Sequence, residues 1–119
     1  MAKHIDLGKK GELLARKFLE DKGYKILDTN WRHEKDEIDI VAKDDNELVI
    51  VEVKTRSTEF FGSPEESVGP QKEGFLIRAT EAYLEVNELN IDTRFDIISI
   101  ILNNKEQNIE HIEDAFYPE

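Results

Sequence analysis

Two short apolar runs in this chain carry charges that hydrophobic strands rarely admit, Glu37-Ile38-Asp39-Ile40-Val41 and Leu48-Val49-Ile50-Val51-Glu52-Val53-Lys54. Asp39 and Glu52 are of the right type to share a divalent cation. Lys54, two residues past Glu52, projects from the same strand face toward the same spot. Two carboxylates at bonding distance repel unless a cation or a proton intervenes, and a shared Mg²⁺ or Mn²⁺ that keeps several waters resolves the conflict. An ion held this way polarises a phosphodiester and acidifies a water, and a lysine beside it stabilises charge growing on phosphate oxygens. The chemistry so described is phosphodiester hydrolysis. The pattern is equally compatible with a plainer origin, in which Glu52 and Lys54 mark the strand's emergence into water.

The elements that must position these residues are legible in outline. Leu7, Leu14, Ala15, Phe18 and Leu19 recur at helical spacing over residues 7–22, and Gly23 supplies a stop. Residues 24–32 read as a strand near a sheet edge, followed by stronger strands over 38–42 and 48–55. The link Lys43-Asp44-Asp45-Asn46 is turn chemistry, so these two strands should form an antiparallel hairpin. Within the second, Leu48, Ile50, Glu52 and Lys54 share one face and Val49, Val51 and Val53 the other. Residues 57–69, with Gly62, Pro64 and Gly69, read as a loop. Pro70 then opens an amphipathic helix to about residue 88, with Phe75, Leu76, Ala79, Ala82, Tyr83 and Val86 as its apolar positions. A rich β run over 95–102 fits a buried strand reached by a crossover, and a short last strand is expected around 109–112. The expected fold is α/β, a mixed central sheet flanked by helices in the order α-β-β-β-α-β-β, occupying residues 1–119 as one domain.

Composition sets further bounds. Cysteine is absent, which excludes disulfides, thiolate nucleophiles and thiolate zinc sites, and His4, His33 and His111 form no ligand-spaced pair. There is no apolar run of membrane-spanning length and no apolar signal segment, so the expectation is a cytoplasmic protein without membrane contact. The net charge of -11 works against nucleic-acid binding, but it is unevenly spread. Residues 1–56 hold 12 basic and 13 acidic side chains, whereas 57–119 hold 4 and 14. A basic face on the first half is compatible with that distribution.

Other charged residues have plain roles on spacing alone. Glu12 is most simply an exposed i,i+4 partner of Arg16, worth a few tenths of a kcal/mol. Lys72, in the first turn of the second helix, is most simply a solvated lysine. Arg94-Phe95-Asp96 suits either a buried ion pair or cap chemistry. Gly8-x-x-Gly11 lacks the preceding strand, lysine and serine of a phosphate-binding loop.

Taken together, Gly8-x-x-Gly11-Glu12 with Ala15, Gly23-Tyr24, Asn30-Trp31-Arg32, Glu37-Ile38-Asp39, Val51-Glu52-Val53-Lys54-Thr55-Arg56, Phe61-Gly62 with Pro64, Lys72 and Arg94-Phe95-Asp96 resemble the small bacterial YraN-like proteins. Those proteins look like members of the PD-(D/E)xK nuclease superfamily. The resemblance implies a restriction endonuclease-like fold similar to that of archaeal Holliday junction resolvases. It implies Asp39, Glu52 and Lys54 as the signature residues and Glu12 as the helix-borne acid, which displaces the plain reading of Glu12. It further implies Asp39 and Glu52 as ligands of Mg²⁺ or Mn²⁺, with DNA, including branched DNA, as substrate. Lys9, Lys10, Arg32, Arg56 and Lys72 are the candidate nucleic-acid contacts, and a homodimer would pair two sites. One departure is Asp36, which stands where the family usually has glycine. Two alternatives from other classes are a nucleic-acid-binding module with little turnover and an acidic protein-interaction domain presenting Glu81, Glu85 and Glu88.

Overall fold

A computed structural model describes residues 7–58 and 68–117 of the chain. Helix α1 spans Leu7–Asp21 and buries Gly11, Ala15 and Leu19, a stripe spaced four residues apart that defines its inner face. Gly23 ends it in a left-handed conformation, φ +96°, which lets the Tyr24 N–H fold back onto the Leu19 carbonyl at 3.0 Å. Strands β1 (Lys25–His33), β2 (Asp36–Asp44) and β3 (Glu47–Arg56) follow, then helix α2 (Pro70–Val86) and strands β4 (Asp92–Leu102) and β5 (Gln107–Phe116). The expected order and the mixed α/β class both hold.

One sheet carries the strands in sequence order, β1-β2-β3-β4-β5. All neighbours are antiparallel except β3 and β4, which pair in parallel from Glu47↔Asp92 to Arg56↔Ile101. The α2 helix lies in the crossover between them, as a parallel pair requires.

The parity expected for β3 is observed. Leu48 and Ile50 pack with Ile38, Val41, Phe95 and Ile97 beneath Leu76, Ala79 and Tyr83 of α2. Val49 and Val51 pack with Ile40, Ile98 and Ile100 beneath Ala15 and Leu19 of α1. The helices thus cover opposite faces, which is why the inner strands read as nearly continuous apolar runs. Each fully buried Ile, Leu or Val contributes roughly 1.5–3 kcal/mol relative to exposure.

Two differences from expectation are informative. β5 runs ten residues, well beyond 109–112, because Glu110, Glu113 and Asp114 ride on an edge strand and mask its alternation. The second helix stops at Val86, so Glu88 lies past its end in a left-handed turn. Trp31 is half-buried, edge-on to Tyr83 with ring centroids 5.0 Å apart, and packs against the α2-side core. His4, Phe60, Phe61, Gly62 and Pro64 fall outside the described residues. No described helix is long and apolar enough to cross a membrane.

Candidate functional site

The β2–β3 ladder runs from Asp44↔Glu47 to Ile40↔Val51 and stops one residue before Asp39. Past that point Ile38 packs on the α2 side although Ile40 packs on the α1 side, so strict alternation breaks at Asp39. The Asp39 side chain replaces the missing ladder bond by accepting the Val53 N–H at Oδ2, 2.8 Å. A carboxylate is thereby wedged where two central strands part.

Glu52 follows the parity of Ile50 toward the α2 face and is 8% exposed. Its Oε2 faces the Lys72 ammonium of α2 at 3.4 Å, whereas its Oε1 is buried without a hydrogen-bond partner. The Asp39 and Glu52 carboxyls lie near enough to act on each other's ionisation. Burial first, then the charge of Glu52, pushes the Asp39 carboxyl up to about 7, against the stabilising Val53 N–H. Burial also raises Glu52, with Lys72 and then Lys54 opposing it. Lys54 is therefore near enough to act on Glu52 electrostatically, as its position two residues along the strand anticipates. The expectation that Lys72 is merely a solvated lysine fails: α2 turns it inward onto Glu52.

Glu12 reaches the same neighbourhood from α1. Close approach of helix to sheet depends on Gly11, where an ideal Cβ would fall 2.7 Å from the Thr55 Cβ and closer still to its Oγ1. Arg16 pairs with Glu20 at 3.8 Å, and Glu12 instead accepts a hydrogen bond from Asn30 Nδ2 at 3.1 Å. The plain Glu12–Arg16 pair is thus absent from the ion pairs of the described residues. Asn30 achieves this from within β1 by adopting a left-handed backbone, φ 50°, which Asn tolerates better than most residues. Glu12 is near enough to add to the upward push on Asp39.

A cleft of about 600 Å³ opens between α1, β1 and β2, lined among others by Lys9, Glu12, Arg16, Asn30, Arg32 and Asp39. Lys9 and Arg32 therefore stand at its wall, although Arg32 also pairs with Glu37 at 3.5 Å. Lys10 borders a different groove, with an apolar floor of Leu13, Leu14 and Leu102. Arg56 ends β3 and is half-buried.

Among the described residues no three Asp, Glu, His or Cys side chains converge as a ready-made metal cluster. The donor set on hand is two carboxylates, one bearing a partnerless buried oxygen. It fits a hard divalent cation that keeps most of its waters, and fits soft or nitrogen-loving metals poorly.

Sequence reasoning missed two contacts. Asp36, the extra acid beside the site, is 6% exposed and held by Arg78 of α2 in a bidentate pair of 2.8 and 2.9 Å. It braces β2 against α2, and its charge is already matched. Asn30 was visible only as part of a sequence triplet, because a left-handed residue inside a strand leaves no periodic signal.

Arg94 and Asp96 prove to be a buried pair, bonded at 2.9 Å through both Arg94 Nε and Nη2. Arg94 Nη2 also donates to the Tyr24 hydroxyl at 2.6 Å, and His111 Nε2 meets Asp96 Oδ2 at 2.7 Å. Lys22 lies 2.8 Å from His111 Nδ1, and since an ammonium only donates, the imidazole N–H is left for Asp96. This network lies on the α1 face, away from Glu52, and its groups are satisfied by one another.

Fold and site together define a mixed α/β sandwich with a buried carboxyl, Glu52, and a half-buried one, Asp39, where central strands part, and with Lys72 and Lys54 acting on Glu52. The chain belongs to the uncharacterised protein family UPF0102, whose family model matches residues 11–100. A UPF0102 protein of Flavobacterium psychrophilum is 55% identical over 117 residues, 98% of each chain. Relatives of the same description in Christiangramia forsetii and Bacteroides thetaiotaomicron are 50% and 49% identical, the first covering 98% of each chain and the second 99% of this chain and 98% of its own. The likeness to YraN-like proteins holds at the level of this family.

Proposed function

We propose that this protein is a metal-dependent endonuclease of the PD-(D/E)xK superfamily, hydrolysing DNA phosphodiesters at the Asp39–Glu52 site. The observation that carries the reading is the Glu52 Oε1, buried and partnerless beside a second carboxyl held up to about 7. An oxygen in that state is costly in the fold and is satisfied by a cation. Mg²⁺ or Mn²⁺, when bound, supplies Lewis acidity toward the phosphodiester and acidifies water.

The chain's own residues do the rest. Asp39 and Glu52 hold the ion, Asp39 being fixed by the Val53 N–H. Lys54 donates hydrogen bonds to phosphate oxygens as their charge grows. Glu12, steadied by Asn30, accepts a proton from the attacking water. Lys9, Lys10, Arg32 and Arg56 bind backbone phosphates, and two copies of the chain pair their sites to cut two strands.

The test is cleavage of single-stranded, duplex and branched DNA with Mg²⁺ or Mn²⁺, comparing wild type with Glu52→Gln. Cleavage confined to wild type and lost on chelation is expected. Equal activity in the variant removes the mechanism. The Lys72–Glu52 ion pair favours a second reading, a nucleic-acid-binding module with little turnover, because one site acid is already neutralised without an ion. That reading expects DNA binding to survive Asp39→Asn and to weaken with Lys10→Glu or Arg56→Glu.

A further inference from the structure

Lys72 occupies an unusual place. It is the third residue of α2, in the first turn, where the helix macrodipole is positive and a cation is disfavoured. No side chain caps this end of the helix with a hydrogen bond among the described residues. Beside Glu73 of the same turn, the anion Lys72 meets is Glu52, at 3.4 Å. The pair is lopsided: the Glu52 side chain is 11% exposed and the Lys72 side chain 44%. Glu52 is anchored in the sheet, whereas Lys72 has a flexible stem with water on one side. The contact uses one Glu52 oxygen and leaves Oε1 unsatisfied, so a single ammonium does not complete the site.

We infer that Lys72 is the resident counter-ion of the carboxyl pair, displaced from Glu52 when a divalent cation binds and thereby released to hold the phosphate that the cation also attracts. The inference rests on the metal reading above and assigns Lys72 a role in loading as well as in phosphate contact. An ammonium and a divalent cation compete for the same Glu52 oxygens. Once released, Lys72 and the positive end of α2 face the site together, and both favour an anion of phosphate type. Cation and phosphate binding are then linked through one side chain, each promoting the other.

The test uses the intact chain and two readouts besides activity. Mn²⁺ affinity is measured by calorimetry for wild type, Lys72→Met, Lys72→Arg and Glu52→Gln. The ¹³Cε resonance of Lys72 is followed during a Mg²⁺ titration of wild type. Lys72→Met is expected to bind Mn²⁺ roughly 3- to 30-fold more tightly than wild type, with Lys72→Arg close to wild type. The Lys72 resonance should move toward that of a solvated lysine as Mg²⁺ saturates the site. That movement separates displacement from a distant charge effect, which would alter affinity while leaving the lysine in place. Unchanged affinity in Lys72→Met, or a resonance that stays put while Mg²⁺ binds, overturns the inference and leaves the metal site standing. Absence of any Glu52-dependent ion binding in wild type and Lys72→Met alike overturns the metal reading itself, and this inference with it.

Discussion

Asp39 carries a carboxyl whose ionisation the fold opposes, with a measurable consequence for stability in the absence of metal. Its folded-state value of about 7 lies above the ordinary 3.8, so the folded protein keeps a proton that the unfolded chain gives up. This stabilisation is fully present below about pH 4 and is lost as pH rises through about 7. The loss should be on the order of 2 to 4 kcal/mol, discounted for partial exposure. Urea unfolding between pH 4.5 and 7.5 in chelator should show wild type weakening with pH more steeply than Asp39→Asn, in which the raised Glu52 carboxyl remains. A common slope for the two proteins would show that Asp39 is not the titrating group. Mg²⁺ at the upper end of the range should restore stability in wild type alone, since a ligand of the folded state stabilises it by mass action.

Among the elements, α1 and β4 carry the sharpest expectations. Gly11 lets α1 lie against Thr55, so Gly11→Ala forces helix and sheet apart. A loss of about 1–3 kcal/mol is expected, read as a lowered thermal midpoint. A midpoint within a degree of wild type would show that the helix yields freely. On β4, burial alone would raise Asp96, but hydrogen bonds from His111, Arg94 and the Asp114 N–H hold it below the ordinary range. That stability is present above about pH 3.8, the ordinary value, and is lost as pH falls through the lower folded-state value, the reverse of Asp39. Arg94→Leu strands a buried carboxylate and should cost about 3–5 kcal/mol, with Arg94→Leu/Asp96→Leu recovering much of it. If the double variant is no more stable than the single, the pair is not coupled.

How legible these elements were depended on their surroundings. α1, β3 and β4 were plain because both faces of the inner sheet are buried and the apolar run is long. β5 is hard to see in the sequence because an edge strand wears its charges outward. The carboxyls of Asp39 and Glu52 stood out as polar residues in apolar runs. The partners that complete the site, Lys72, Asn30 and Arg78, stood on helix and strand positions where a charged or polar residue is ordinary. Only the three-dimensional register shows what they touch.

For the molecule as a whole, the two helices present opposite charge. α1 exposes Lys9, Lys10, Arg16 and Lys17 against Glu20 and Asp21, whereas the α2 region exposes Glu81, Glu85 and Glu88 against Arg78. A polyanion approaching this protein is steered toward the α1 side, where the cleft opens. Lys9→Glu and Lys10→Glu should each weaken DNA binding uniformly across sequences. Each should also lower the slope of log affinity against log salt by about 0.9 for every phosphate the variant no longer neutralises. Reversing Glu81 or Glu85 should leave the slope unchanged or strengthen binding. Absence of DNA binding, with steeply salt-dependent binding of a basic protein that is lost when Glu81, Glu85 and Glu88 are reversed, would instead favour the acidic interaction domain.

The parallel pairing of β3 with β4 also sets an order of events during folding. β1, β2 and β3 are joined by tight turns and can zip from local contacts, whereas β4 returns only after residues 57–91 have closed a long loop. The Asp39–Val53 contact belongs to the early meander, and Lys72 arrives with the late crossover. Refolding kinetics should therefore respond in opposite ways along the sheet. Destabilising changes at the Asp45-Asn46 turn should slow folding, and truncations such as Ile98→Ala should mainly hasten unfolding. On this schedule a newly made chain brings its two acids together before the lysine that balances them.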